Sequence, residues 1–532
     1  MIDVADAALA WRRLSPRMLV IHPVQEVVRA APALLGLLIA GSSSGGQGHW
    51  WSLAGVGLMV VLGMLRWFTT TYRITPEHVQ VRRGLLTRKV VTVPRDRVRT
   101  VDVTSHVLHR VLGLARVEVG TGTSDRRNEG RLKLDALSAA EAARLRVELL
   151  HRSPAASAVS PGEIGVPVGS TPAPETELAR MRPEWVRFGP FTMSGLVTVG
   201  VVAGFVSRLV SEGNVDLGRV GPVQETWRWF REMSLPLEIA TVVLVLVVFV
   251  SVASTLGYVL AFGHFRLTRH PEGTLHVTRG LLTRRATTIE GRRLRGVEVT
   301  EPLLLRAVRG ARLSAVTTGL RAAQGAQRGG SLLLPPAPRA EAVSVARLVL
   351  PRVLPRVAAA PSASAGSDAS PVTVSLTPHG PAALRRRFTR AYGVHALVLA
   401  ALLALWWWAG LPSWTWLTVA ALLPLTALLA ADRYRSLGHA VTSGYLVTRW
   451  GSFSRRRAVL ECDGVIGWNI ERSFFQRRAG LVTLTATTAA GKQGYQVRDV
   501  ELAEALRLAT AATPGLLDPF LVEARPVSSV GL

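Results

Sequence analysis

The chain has 532 residues, 48% of them hydrophobic, and a formal net charge of +27. The single cysteine, Cys462, excludes an intrachain disulfide framework and any multi-thiolate metal site. The apolar residues gather in long blocks between arginine-rich segments, which is typical of a multi-pass membrane protein and not of a soluble one. The basic excess fits nucleic acid, an anionic membrane surface or cytoplasmic loops that obey the positive-inside rule.

The first third of the sequence predicts a pair of membrane helices followed by a small β domain. We expect spans at about 24–40 and 50–68, because each approaches the ~20 apolar residues that cross a bilayer as helix. Basic residues flank both outer ends and the loop 41–49 has none, so both ends are predicted to be cytoplasmic. Alternating runs within 69–152 predict antiparallel strands, then a helix that begins with the capping box Ser138 to Glu141.

The same order recurs twice, separated by segments rich in Ser, Pro and Ala that cannot bury enough surface to fold alone. We therefore predict an inner-membrane protein with six spans and with both termini in the cytoplasm. The expected division is hairpin 1–68, β domain 69–152, linker 153–187, hairpin 188–262, β domain 263–356, linker 357–390, hairpin 391–431, β domain 432–514 and tail 515–532.

Two short motifs recur at a fixed separation and indicate that the thirds are copies of one unit. The first is Arg82–Lys89, repeated as Thr278–Arg285 and Arg449–Arg456, with shared glycines Gly84, Gly280 and Gly451. The second is Leu108–Ala115, aligned with Leu305–Arg312 and Phe475–Val482 through Gly113, Gly310 and Gly480. The paired glycines are 29, 30 and 29 residues apart.

The Arg-Gly-Leu-Leu turn and the run Ser105–Val119 resemble the membrane-flanked bacterial pleckstrin-homology-like domain family, of the YdbS/YdbT type. In this alignment repeat two lacks the motif's arginine, with Ala307 in its place, and repeat three keeps Gln476, Arg477 and Gly480. The resemblance implies an α+β membrane protein with six transmembrane helices in three hairpins. Each hairpin would be followed by a bent seven-stranded β-sandwich or barrel with a C-terminal helix. The resemblance implies no catalysis and leads only as far as membrane stress or antimicrobial resistance.

Each β domain carries a basic cluster a few residues beyond the end of a membrane helix. The clusters are Arg82, Arg83, Arg88 and Lys89, then Arg279, Arg284 and Arg285, then Arg449, Arg455, Arg456 and Arg457. A basic side chain near the anionic inner leaflet gains on the order of 1 kcal/mol, so we predict that these residues contact phospholipid headgroups. A solvated charged turn is the alternative, because the positive-inside rule alone places arginine there.

Other motifs lack the partners that their chemistry needs. His106 and His109 have H-x-x-H spacing without a third ligand, so no metal site is predicted. Gly41–Gly45 fits G-x-S-x-G by letters only, in a hairpin loop. No phosphate-loop motif occurs. We predict a non-enzymatic protein without a cofactor.

The favoured function is a membrane-associated scaffold that contacts lipid headgroups or a protein partner, such as a smaller membrane protein of the same family. The alternative is a transporter or channel subunit. Carriers need ionisable groups near mid-membrane, and Arg29, Arg208, Glu238 and His395 all lie near predicted span ends. Nucleic-acid binding is not expected, because the charge is dispersed without an aromatic and basic platform. The sequence leaves the lipid, the partner and the oligomeric state undetermined.

Overall fold

A computed structural model describes residues 11–17, 70–150, 175–192, 234–318, 331–350 and 370–520, with short gaps. The predicted spans at 24–40 and 50–68, and most of that at 189–207, lie outside the described residues. The chain divides into two compact units, residues 1–291 with 323–330 and residues 292–322 with 331–532. The boundary therefore falls inside the predicted second β domain and not in a linker.

The first unit contains two antiparallel sheets. One has the order β1-β2-β3-β4 and the other the order β7-β6-β5-β11-β10-β9-β8. Its strands are β1 Arg12–Arg13, β2 Thr71–Ile74, β3 His78–Arg83, β4 Lys89–Pro94, β5 Thr100–Ser105, β6 Leu114–Gly120, β7 Arg131–Ser138, β8 Thr176–Arg180, β9 Arg266–Arg269, β10 Leu275–Arg279 and β11 Arg284–Ile289. Its helices are α1 Val107–Val111, α2 Ala139–Leu150 and α3 Leu235–Phe262, with a 3-10 turn at Pro183–Phe188.

The described strands of the second unit also form two antiparallel sheets. Its sheets have the orders β14-β13-β12-β17-β16-β15 and β18-β19-β20. The strands are β12 Leu294–Pro302, β13 Gly310–Thr317, β14 Leu332–Pro338, β15 Gly438–Thr442, β16 Tyr445–Trp450, β17 Ser454–Glu461, β18 Gly467–Glu471, β19 Leu481–Thr487 and β20 Gly494–Glu501. The helices are α4 Leu303–Ala307, α5 Arg339–Val349, α6 Pro381–Ala409, α7 Thr415–Arg435, α8 Phe474–Arg478 and α9 Leu502–Ala512, with short 3-10 turns between elements.

Repeats one and three each lie within a single unit, and each has a core between its two sets of strands. In repeat one, Val79 and Val81 of β3 pack with Val117 and Val119 of β6, and Leu145 of α2 closes the core. This layered arrangement fits the expected β-sandwich with a C-terminal helix. The capping box at Ser138 is confirmed, since its Oγ accepts from the Glu141 backbone N–H at 3.1 Å and its own N–H donates to the Glu141 carboxylate at 3.3 Å.

Neighbouring repeats share their sheets, which the prediction of three self-contained domains did not include. β5 of repeat one pairs with β11 of repeat two, with Ser105 opposite Arg284. β12 of repeat two pairs with β17 of repeat three, with Glu301 opposite Arg455. We call these two strand pairings between neighbouring repeats the junctions. They use equivalent residues in the same register.

A strand that precedes each predicted hairpin pairs with the strand that follows it. β1 pairs with β2, β8 pairs with β9, and a single bridge joins Thr377 to His439 in the third repeat. The predicted linkers 153–187 and 357–390 therefore contain the first strand or bridge of the next repeat. Because antiparallel partners lie side by side, the residues just before and just after each predicted hairpin are neighbours.

Two of the six predicted spans correspond to helices, in the described part of the chain, that are long and apolar enough to span a membrane. They are α3, with mean hydropathy 2.7, and α6, with mean hydropathy 1.6. α7 packs antiparallel to α6, with the Trp406 and Trp416 ring centroids 6.2 Å apart. The predicted third hairpin is thus present, although α6 begins at Pro381, ten residues before its predicted start.

The shared glycines of the first motif all adopt a positive φ angle. Gly84, Gly280 and Gly451 have φ of 119°, 102° and 99°, and a Cβ on Gly280 would lie 2.0 Å from the Thr283 carbonyl oxygen. The second motif needs correction, because the left-handed residue in repeat two is Arg309, with φ 57°, and not Gly310. The separation is then 29 residues in all three repeats. Arg306, and not Ala307, takes the place of the motif's arginine.

Candidate functional site

The richest candidate site is a cleft on one face of the six-stranded sheet. Glu301 lies opposite Arg455, and Arg457 lies between Val299 on one neighbouring strand and Arg449 on the other. Because side chains two residues apart share a face, these groups form one patch, which α5 and residues 370–374 cover. The cleft is narrow, with a cavity volume of about 30 Å³, and is lined by Val299, Glu301, Arg339, Val343, Val372, Arg449, Arg455 and Arg457. We call it the arginine pocket.

Its arginines are held by backbone and side-chain acceptors around the rim. The Arg457 guanidinium donates to the Val374 carbonyl at 2.6 Å, while its buried Nε has no hydrogen-bond partner among the described residues. Arg455 donates to the Asp432 carboxylate at 3.2 Å, and Arg339 Nε lies 3.0 Å from the Glu301 carboxylate. Arg455 and Arg457 are therefore held in place before any ligand arrives, which favours binding because less side-chain freedom is lost.

Positive charge in the arginine pocket exceeds negative charge. Four guanidinium groups line it with one carboxylate, that of Glu301. Burial, together with repulsion from Arg449 and Arg339, lowers the pKa of Arg457 to about 10, although Glu301 raises it. The pKa of Arg449 is also lowered by burial and then by Arg455. An anion between these groups would relieve their repulsion and accept their hydrogen bonds, so the pocket has the chemistry of an oxyanion site.

The pocket lies at the C-terminal end of α7, the second helix of the third hairpin. Arg449 donates to the backbone carbonyls of Arg435, at 2.8 Å, and Ser436, at 3.3 Å, where α7 ends. A cation at a helix C-terminus satisfies carbonyls that have no partner within the helix and interacts favourably with the helix dipole. This contact ties the pocket to the C-terminal end of α7.

The other predicted basic residues are not gathered at the pocket. Arg456 lies on the opposite face of β17, 3.4 Å from Glu298, which also pairs with Lys492. Arg285 pairs with Asp102 at 3.4 Å. Arg279 is buried over the Phe262 ring, Arg82 is half-buried, and Arg88 and Arg284 are exposed. Arg83 and Lys89 lie in strands, with side chains outside the described part of the structure.

Sequence reasoning missed Glu301 and Arg339, which complete the pocket from more than a hundred residues away. No local motif marks either residue. The repeat alignment is the signal that could have pointed to Glu301. Once Arg309 is aligned with Gly113, Glu301 occupies the position that Ser105 occupies in repeat one.

A second polar cluster fastens α6 to the third β domain. The buried carboxylate of Asp499 pairs with Arg386 and, at 2.5 Å, with Arg387, and it accepts from Gln476 at 2.8 Å. Beside it, His379 Nε2 lies 3.1 Å from His439 Nδ1, whose Nε2 lies 3.3 Å from Glu504. We call these residues the Asp499 cluster. The described residues contain no group of three or more His, Cys, Asp or Glu side chains placed to hold a metal ion.

Comparison with known proteins supports the repeat division. Three regions of the chain, residues 23–153, 201–353 and 389–512, match the family model described as Bacterial PH domain. The chain is also similar to the UPF0699 transmembrane protein YdbT of Bacillus subtilis (strain 168), with 20% identity over 251 residues, which is 46% of this chain and 49% of that protein. The match thus spans about half the length of that relative. No solved structure matches the chain.

Proposed function

The chain belongs to the bacterial PH domain family, and we propose that it is a non-enzymatic, membrane-associated scaffold that holds anionic headgroups in its arginine pocket. We place it in the inner cell membrane, with six spans in three hairpins and both termini in the cytoplasm. The strand pairing across each hairpin supports an even number of crossings per hairpin. A role in envelope stress or antimicrobial resistance rests on the family resemblance alone.

The observation that carries this proposal is the excess of guanidinium groups at the foot of α7. The inner leaflet presents phosphate groups next to the ends of membrane helices, and arginine binds phosphate oxygens through paired hydrogen bonds. A headgroup phosphate could therefore reach the pocket from the same membrane that the hairpin enters. The scaffold would then sense or organise anionic lipid without any chemical step.

Binding to the full-length protein in a neutral detergent tests the proposal. The probes are short-chain phosphatidylglycerol, short-chain phosphatidylcholine and inorganic phosphate, each titrated at low salt. We expect phosphatidylglycerol to bind and phosphatidylcholine to bind much more weakly. If inorganic phosphate binds and phosphatidylglycerol does not, the lipid role is refuted in favour of a soluble anion.

Substitutions in the pocket should act in opposite directions. Arg457→Gln and Arg339→Gln each remove a guanidinium, and we expect affinity for phosphatidylglycerol to fall at least tenfold. Glu301→Gln removes the competing carboxylate and should raise that affinity. Arg180→Gln, at an exposed arginine of β8, is the charge-matched control. A loss of affinity in Arg180→Gln as large as that in Arg457→Gln and Arg339→Gln would show that only net charge matters and would overturn the assignment of the pocket.

A further inference from the structure

The first junction between repeats shows what the second motif does. Besides the pairing of β5 with β11, α1 contacts the turn between β10 and β11. Arg110 donates to the Leu281 carbonyl at 3.1 Å, and His106 Nδ1 lies 3.2 Å from the Thr283 hydroxyl. The motif of one repeat thus binds the glycine turn of the next.

The second junction repeats the same interaction with different side chains. β12 pairs with β17 in the equivalent register, and the Leu303 N–H at the start of α4 donates to the Phe453 carbonyl in the turn before β17, at 2.7 Å. Arg306, the counterpart of Arg110, pairs with Asp432 at 3.1 Å. Two independent junctions show that a short strand followed by a short helix is a docking surface for the next repeat.

Repeat three carries the same docking surface, and no described strand of another repeat pairs with it. Among the described strands β18 is an edge strand, paired only with β19. The equivalent helix, α8, exposes Phe474 at 63% and Phe475 at 71%, and Ile466 just before β18 is 67% exposed. Arg477, the counterpart of Arg110 and Arg306, is also exposed. Exposed edge strands with adjacent apolar side chains are templates for pairing with another chain.

Repeat one carries the complementary surface. β4 is the counterpart of β11 and β17, and among the described strands it is an edge strand, paired only with β3. Val90, the second residue of β4, is 50% exposed. Among the described strands, the chain therefore has one open docking strand, β18, and one open acceptor strand, β4.

We propose that β18 and α8 of one copy bind β4 of a second copy, so that the chain assembles head to tail. The register of the two internal junctions places Lys89 opposite Glu471 and Val90 opposite Ile470. These pairs are complementary in charge and in apolar character, whereas Arg88 opposite Arg472 is a like-charge pair at the strand end. A head-to-tail interface leaves further surfaces open and so gives a ring or an open chain, not a closed pair.

Cysteine cross-linking in native membranes tests this register with the full-length chain. Val90→Cys and Ile470→Cys are introduced into two differently tagged copies that are expressed together. Directly opposed residues in a sheet are close enough for a disulfide, so we expect a mixed dimer under mild oxidation. Asn469→Cys with Val90→Cys is the matched control, because residue 469 faces the other side of the strand. The native Cys462 is buried and common to every sample.

The doubly substituted chain distinguishes the possible assemblies. A chain carrying both Val90→Cys and Ile470→Cys should give a ladder of dimers, trimers and larger species, at least tenfold more abundant than in the Asn469→Cys control. Glu471→Lys should reduce the ladder at least fivefold, and Lys89→Glu in the same chain should restore it. No cross-link above the control, or a product that stops at the dimer, would overturn head-to-tail assembly. A cross-link from residue 470 only to a different protein would overturn the second copy as the occupant.

Discussion

Replacing Asp499 by asparagine tests whether charge fastens α6 to the third β domain. The carboxylate is almost fully buried, at 3% exposed, and it is the shared partner of Arg386 and Arg387. Asparagine has the same shape and tolerates the left-handed φ of 58° at this position. The substitution therefore removes the charge with little change in backbone or volume.

The expected loss follows from the cost of leaving buried charge without a partner. Removing one partner of a buried ion pair costs about 3–5 kcal/mol, and the amide oxygen retains some hydrogen bonding, so we expect about 3 kcal/mol. The third domain offers its own reporter, because Cys462 lies in the same core as Val500, which follows Asp499. A loss of about 3 kcal/mol raises the open population roughly a hundredfold, since 1.4 kcal/mol is a factor of ten.

The assay is the rate at which Cys462 reacts with a small disulfide reagent in the full-length protein under native conditions. We expect labelling to be about a hundredfold faster in Asp499→Asn, and unchanged in Asp518→Asn, which alters an exposed carboxylate in the same compact unit. Adding Arg387→Gln to Asp499→Asn should cost less than the sum of the two single losses, because the pair is removed together. A change of less than threefold in Asp499→Asn would refute the buried-charge argument.

Three further predictions use the same reporter or thermal unfolding. Burial and the neighbouring His439 lower the pKa of His379 from 6.5 to about 4. As the pH falls from 6.5 to 4, this histidine takes up a proton in the unfolded chain but not in the folded one, so the free energy of unfolding should fall over that range. Labelling of Cys462 by a reagent active in acid should speed up there, and His379→Gln should flatten the dependence. Arg309→Gly should raise the unfolding temperature, by relieving about 1 kcal/mol at a left-handed residue. Gly280→Ala should lower it, with a loss of about 2 kcal/mol, because the methyl group meets the Thr283 carbonyl.

The sequence predicted local structure well where one short segment decides it. The alternation around Val117 and Val119 marked a strand with a buried face, and both valines are in the core of repeat one. The capping box at Ser138 depends on residues three positions apart and formed as expected. The alignment of Gly310 failed because backbone conformation, not glycine itself, is what repeats. Arg309 adopts the left-handed conformation that glycine holds in the other two copies.

Sheet sharing between repeats could not be predicted in this way. Alternation shows which face of a strand is buried, but it does not show which strand lies beside it. The pairing of β12 with β17 joins segments about 155 residues apart, as in Val299 opposite Arg457. The arginine pocket exists only because of that pairing, so its carboxylate, Glu301, was not predicted. The basic residues were found because they recur beside the glycine turn.

Strand pairing across each hairpin limits how the membrane segment can act on the β domains. Paired strands lie about 4.8 Å apart, so the two ends of a hairpin that such a pair brackets cannot separate without breaking sheet hydrogen bonds. In the third hairpin the bridge between Thr377 and His439 is reinforced by the ion pairs of Arg386 and Arg387 with Asp499. Movement of α6 and α7 must therefore reach the β domain as a tilt or rotation of the whole hairpin. Such a tilt would move the arginine pocket's lining, because Arg449 donates hydrogen bonds to the carbonyls at the end of α7.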